Sequence, residues 1–314
     1  MARGSTLREI HSHMVSVVLL GAGASFGSGE VAPCTPPLGN GVDGLFSRLE
    51  TTGGEASRLP DHLKSMFRLD FEKGMSAYYE YSDGNIMRFQ RELAAYLAQF
   101  TPGPTNAYVR LIKTLGVRRV IYSSLNYDLL FELAAAVLGL STSYGSNLPA
   151  CGVRLLKLHG SCNFWPDIPV GMIQRSTFFS RGGRADVQAP IRPLNQGETI
   201  HRCANDDSLA PAIAMYAEGK AVKVSPDYVK NQQVQWHSAI AAAKRVCVVG
   251  VRVHAADTHV WGALARTEAL VTYFGRPSDK PAFLEWKAIN AKKRAFFMEA
   301  DFAECIGVMK SRFG

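Results

Sequence analysis

Val15-Ser16-Val17-Val18-Leu19-Leu20-Gly21-Ala22-Gly23-Ala24-Ser25 is the stretch on which the fold turns. Val15 to Leu20 is an apolar run rich in β-branched residues, with no alternation of a solvated and a buried face. Such a run reads as a strand buried on both faces of a parallel sheet. The glycines that follow permit a tight turn and let backbone N–H groups approach a phosphate with no Cβ in the way. A helix opening there adds partial positive charge, and Ser25 adds a hydroxyl. The reading predicts that a bulky Gly23→Val blocks ligand binding before anything else. The dinucleotide fingerprint G-x-G-x-x-G is incomplete, because Phe26 stands at its third glycine, and no Gly-Lys-Ser/Thr of a Walker loop follows. By itself the turn fits either a nucleotide site or an ordinary strand-to-helix connection.

Outward from this point the pattern alternates. Residues 42–100 read as a helical insertion, with Ile86, Phe89, Leu93 and Tyr96 or Leu97 on one face. Pro104 is placed to open a helix carrying Tyr108, Leu111, Ile112 and Leu115, which Gly116 ends. Strands are expected at 119–123, 153–158 and 245–251. Helices are expected at 127–138, 227–243 (with Val229, Val234, Trp236 and Ile240 buried) and 258–270. A strand or two and a final helix complete the chain, and 163–207 reads as loops with a short strand or two, forming a flap or small insertion. Strands alternating with helices give an α/β class, a doubly wound parallel sheet of Rossmann-like type, as one domain over residues 14–314. Residues 1–13 read as an extraneous leader or a disordered extension.

Three further motifs fall at expected strand ends, where ligands of such sheets bind. Ser123-Ser124-Leu125-Asn126-Tyr127-Asp128 places Asn126 and Asp128 at the crevice, with helix capping as the competing role for Asn126. Lys157-Leu158-His159-Gly160-Ser161 offers His159, whose residue type suits a general base, or a structural role in a loop. Val249-Gly250-Val251-Arg252-Val253 combines close approach at Gly250 with the planar fork of Arg252 for a phosphate. His254, Asp257 and His259 contain metal-ligand types, but their spacing puts them on a turn with no shared face, so no metal is expected.

Composition excludes several classes. The 314 residues are 47% hydrophobic and 20% charged, ordinary for a globular chain, and no apolar run approaches the ~20 residues of a membrane span. Six scattered cysteines form no C-x-x-C pair, so a zinc ribbon is not expected and a reducing, cytoplasmic setting is. The net charge of +8 comes without a basic run or a reading module, so direct nucleic-acid binding is not expected.

Taken in order, GAGAS, SLNYDLL with Glu132, KLHGS and VVGVRVHAAD resemble the sirtuin-like domain family. The resemblance runs from Val15 to about Leu264 and is closest to the zinc-free, NAD-consuming branch of bacterial antiviral defence systems. It implies that Gly21, Ala22, Gly23 and Ser25 hold the pyrophosphate of NAD, with Gly250 and Arg252 beside them. Asn126 and His159 would serve cleavage, and Asp128 would lie near the nicotinamide amide. It implies an NAD glycohydrolase acting without a metal, working as a homo-oligomer (the segment 42–100 a candidate surface) or with a HerA-like ATPase or other defence subunit. The zinc cysteines of the family's deacetylases are absent, and Ser28-Gly29-Glu30 leads into a proline-rich stretch where those enzymes carry Phe-Arg. Protein deacylation, ADP-ribosyl transfer and a non-catalytic NAD or ADP-ribose binding subunit stand as alternatives.

Overall fold

A computed structural model describes residues 15–168, 187–214, 224–254 and 257–313. The leader expected at 1–13 and part of the flap expected at 163–207 lie outside the described residues.

The chain opens with β1 (Ser16–Leu20) and the short α1 (Ala22–Phe26), then β2 (Val31–Ala32). A helical layer follows: α2 (Leu45–Glu50), α3 (Glu55–Arg58), α4 (Asp61–Leu69), α5 (Phe71–Tyr81) and α6 (Met87–Leu97). Next come β3 (Thr101–Pro102), α7 (Ala107–Leu115), β4 (Val120–Ser124), α8 (Leu130–Val137), β5 (Ser141–Ser143) and β6 (Gly152–Lys157). A hairpin of β7 (Phe164–Pro166) and β8 (Ile191–Pro193) precedes α9 (Gln196–Asn205) and α10 (Pro226–Ala242). The chain closes with β9 (Arg245–Val249), α11 (Thr258–Arg266), β10 (Leu270–Gly275), α12 (Lys280–Ile289), β11 (Ala295–Glu299) and α13 (Phe302–Phe313).

Seven strands form one parallel sheet in the order β11-β10-β9-β1-β4-β6-β5. From β1 the chain winds outward to β4, crosses to β5 at the edge and comes back to β6 between them. It then returns to the other side of β1 for β9, β10 and β11. The order reverses between β1 and β9, whose carboxyl ends therefore flank a crevice. Every residue of β1 is buried, and its side chains divide between two cores. Val18 and Leu20 join the core under the helical layer, α7, α8 and α13; Val17 and Leu19 join the core under α10, α11 and α12. The architecture is the α/β, doubly wound, Rossmann-like sheet expected from the alternation.

The helical layer is held by a stack of aromatic rings. Phe46 lies 4.4 Å from Phe67 and Phe67 lies 5.2 Å from Phe89, centroid to centroid. Phe89, Leu93 and Leu97 of α6 face this core, as their spacing predicts. Other boundaries differ from expectation for local reasons. Pro104 does not open α7; Asn106 does, its side chain accepting from the Tyr108 N–H at 2.9 Å. Val234 is exposed, and Gln232 takes a buried place on α10, donating to the Tyr144 carbonyl. Helix α11 ends at Arg266 because Leu270 already belongs to β10. The last segment holds two strands, within the one or two expected, and two helices where one was expected.

Candidate active site

The glycine turn after β1 is packed against the turn after β9. The Gly21 N–H donates to the Val249 carbonyl at 3.0 Å, and the Gly23 N–H donates to the Gly250 carbonyl at 2.9 Å. A Cβ on Gly21 would lie 2.4 Å from the Gly250 carbonyl oxygen, and one on Gly23 would lie 2.8 Å from the Gly250 Cα. Gly250 itself has φ +62°, and a Cβ there would meet the Ala24 nitrogen at 2.2 Å. Backbone meets backbone at this seam, so the fold itself requires these glycines. This corrects the expectation for Gly23→Val. The substitution is expected to destabilise the ligand-free protein, at or above the upper end of the ~1–3 kcal/mol typical of overpacking. Thermal melting without ligand checks it; an unchanged melting temperature with lost ligand binding would restore the first reading.

Beneath the turn lies a buried network of Ser25, Tyr108, Asn126 and Asp128. Ser25 Oγ donates to Asp128 Oδ2 at 2.8 Å. Since that bond uses the only hydroxyl proton of Ser25, Tyr108 is the donor in its 2.8 Å contact with Ser25 Oγ. Asn126, which follows β4, donates through Nδ2 to the Gly21 carbonyl at 2.9 Å and to Ser25 Oγ at 2.8 Å, with Tyr108 Oη at 3.3 Å. Burial, reinforced by the Asp128 charge, pushes the Tyr108 phenol well above its ordinary value, so it remains a neutral donor.

The capping role considered for Asn126 falls instead to Asp128, whose Oδ1 accepts from the Leu130 N–H at 3.0 Å at the start of α8. Asn126→Ala is expected to lower stability by about 1–3 kcal/mol, because it leaves the Gly21 carbonyl short of a buried partner. A melting curve unchanged from wild type would contradict this.

His159 follows β6 and is 5% exposed. Its Nε2 lies 2.9 Å from Nε2 of His259 and 3.7 Å from Oδ1 of Asp257. Asp257 immediately precedes α11 and His259 stands in its first turn. On α10, His237 donates through Nε2 to the His259 carbonyl at 2.7 Å and steadies that turn. The expectation that Asp257 and His259 share no face is therefore corrected. They converge with His159, and among the described residues these three form the only cluster of metal-ligand types, while His254 is not part of it. No cysteine cluster occurs among the described residues, in keeping with a sheet that lacks a zinc ribbon.

Behind the site, Lys157 at the end of β6 is 1% exposed. Its Nζ donates to the Asp128 carbonyl at 2.7 Å and lies 3.2 Å from Glu132 Oε1. Tyr144 donates to the same carboxylate at 3.1 Å, and Asn163 donates to Tyr144 Oη at 3.1 Å. Burial raises the Glu132 carboxyl above its ordinary value, and Lys157 pulls it partly back. This buried pair ties β6 to α8, and so ties His159 to Asp128.

The crevice between these elements is a cleft of about 560 Å³, a size suited to a small-molecule ligand. All nine residues singled out from the sequence (Gly21, Ala22, Gly23, Ser25, Asn126, Asp128, His159, Gly250 and Arg252) line it. Arg252 is exposed at the rim, as is Arg276, whose guanidinium lies 5.3 Å from the Phe26 ring centroid. Against these two arginines the cleft presents six carboxylates: Asp70, Glu72, Asp128, Asp257, Asp279 and Asp301. The chain is basic overall, yet the lining of this cleft is acidic, which repels a polyanion and attracts a ligand with a cationic part.

Sequence reasoning missed Tyr108, Lys157 and the convergence on His259. Tyr108 reads as one more apolar position on the core face of α7, and its hydroxyl partner is 83 positions away. His159 and His259 are 100 positions apart, and only the sheet order brings them together. No described helix is long and apolar enough to cross a membrane. Comparison with known proteins finds no matching family model and no curated relative.

Proposed function

We propose that the chain cleaves NAD at its nicotinamide–ribose bond, releasing nicotinamide and ADP-ribose. One observation carries this reading: the cleft at the reversal of strand order gathers Asn126, Asp128 and His159 at neighbouring strand ends, under an acidic lining. The rim arginines Arg252 and Arg276 suit the pyrophosphate, whose charge they meet on the side of the glycine turn. The cationic nicotinamide and its ribose then lie toward Asp128 and His159.

Bond breaking moves the C–N electron pair onto the nicotinamide nitrogen and leaves positive charge on the ribose. Fixed carboxylates nearby stabilise that charge without reorganising. A water oxygen bonds to the anomeric carbon, and its proton passes to the imidazole pair of His159 and His259. Asn126 is a positioning residue in this scheme: its donors hold the Gly21 turn and the Ser25 hydroxyl in place.

The test is direct. The purified chain is incubated with NAD, with and without an acetyl-lysine peptide, and products are separated by chromatography. Equal nicotinamide and ADP-ribose without peptide is the expected result. Nicotinamide that appears only with peptide would replace this reading by a deacylase, and label on protein by an ADP-ribosyltransferase.

A second reading, a non-catalytic NAD or ADP-ribose binding subunit, has one observation in its favour: protein acceptors already engage the Asn126 amide hydrogens. Saturable NAD binding without turnover would support it. A cytoplasmic role in anti-phage defence, as a homo-oligomer or with a HerA-like ATPase, belongs to the same proposal and rests on the motif resemblance.

A further inference from the structure

The geometry points to a binding site for a divalent transition-metal ion formed by His159, Asp257 and His259. Three ligand atoms of these residues lie within 4.8 Å of one another. With metal–ligand bonds of about 2.0–2.2 Å, the 2.9 Å between the two Nε2 atoms corresponds to an angle of about 90° at the metal. On the same bond lengths, the 3.7 Å from His159 Nε2 to Asp257 Oδ1 corresponds to about 125°. The two angles lie on either side of the tetrahedral value of about 109°, so His159 can share one ion with His259 and with Asp257.

Two imidazoles and a carboxylate select a borderline first-row ion such as zinc, cobalt or nickel over calcium or magnesium, which prefer all-oxygen sites.

Two further observations belong to the site. Asp257 stands at the N-cap of α11, where an aspartate ordinarily accepts from the first-turn amides, yet its carboxylate makes no such bond and faces the histidines instead. The His237 bond to the His259 carbonyl holds the first turn of α11, an outer contact of the kind that steadies ligand residues. His159 and Asp257 also line the acidic cleft, which gives a cation a path to them.

The site does not depend on the NAD reading. Where the two meet, the ion takes the lone pair on His159 Nε2 that a general base would use, so the two roles exclude one another.

Calorimetric titration of the metal-stripped full chain with Zn²⁺ tests the site. One saturable ion per chain is expected. His259→Gln and Asp257→Asn should each weaken binding by more than the ~10–100-fold that outer contacts cost. Titration with Co²⁺ adds a readout that separates this site from the exposed thiols of Cys34 and Cys151. Nitrogen and oxygen ligation gives visible d–d bands without thiolate charge transfer. Absence of saturable binding, equal affinity in the folded variants, or a thiolate charge-transfer band would each overturn the proposal. If a variant does not fold, the wild-type Co²⁺ spectrum decides. All of these readouts are made without NAD, so failure of the metal site and failure of the NAD reading are told apart.

Discussion

His159→Ala is expected to lower nicotinamide release by ~10²–10⁴-fold, the contribution typical of a positioned acid–base group. His159 sits past the end of β6 and faces the cleft, so its loss opens no cavity in either sheet core. It does take a partner from His259 and Asp257, and a moderate fall in melting temperature is expected alongside. The measurement is therefore steady-state release at a temperature well below the melting point, with chelator present so that no ion occupies the same nitrogen. His259→Ala should fall between the variant and wild type, because the water-facing imidazole remains but loses its proton-sharing partner. Unchanged release from folded His159→Ala protein would sink the proposed chemistry. Asn126→Ala should behave differently: its loss of stability and its loss of turnover should move together, because it acts through the turn.

Lys157→Met carries the largest expected effect on stability. The substitution keeps much of the side-chain volume but leaves Glu132 buried without its cation. Breaking a buried pair from one side costs about 3–5 kcal/mol. The pH dependence has a definite sign. Burial already raises the folded-state pKa of Glu132, and Lys157 is the largest opposing influence. Without Lys157 the folded value rises further. A raised carboxyl favours the folded state at low pH, below its unfolded value, and this contribution is lost as pH rises through the folded value. The deficit of Lys157→Met should accordingly be greatest near neutrality and narrow on acidification below about pH 5. Chemical denaturation of both proteins across that range measures it. A deficit that is constant or grows toward acid would show that Glu132 does not answer to Lys157.

The parts of the fold legible in the sequence are those set by short-range pattern. The buried strands at 16–20 and 245–249, the face of α6 and the glycine turns announce themselves within a few residues. The candidate site was legible as four motifs because parallel strands end at one edge, and each motif follows a strand; all nine named residues meet in one cleft. Contacts across the reversal of strand order were not legible. The pairing of His159 with His259 and of Gly23 with Gly250 depends on which strands are neighbours, and local pattern does not encode that order. Lys157 falls in the strand expected at 153–158 with nothing local to name its partner; its burial follows from α8 lying across the end of β6 with Glu132 in its first turn.

The three-glycine seam bears on how such a chain evolves. Each of Gly21, Gly23 and Gly250 faces the backbone of another, so a side chain gained at any one position is refused by a neighbour that cannot retreat. The exposed arginines at the rim carry no such constraint. Drift should therefore leave the seam fixed while the rim and the acidic lining are remodelled, and descendants of this chain can exchange one ligand for another without first rebuilding the turn. Saturation mutagenesis selected only for folded protein would show this as three positions closed to every residue but glycine, set beside Arg252 open to nearly all.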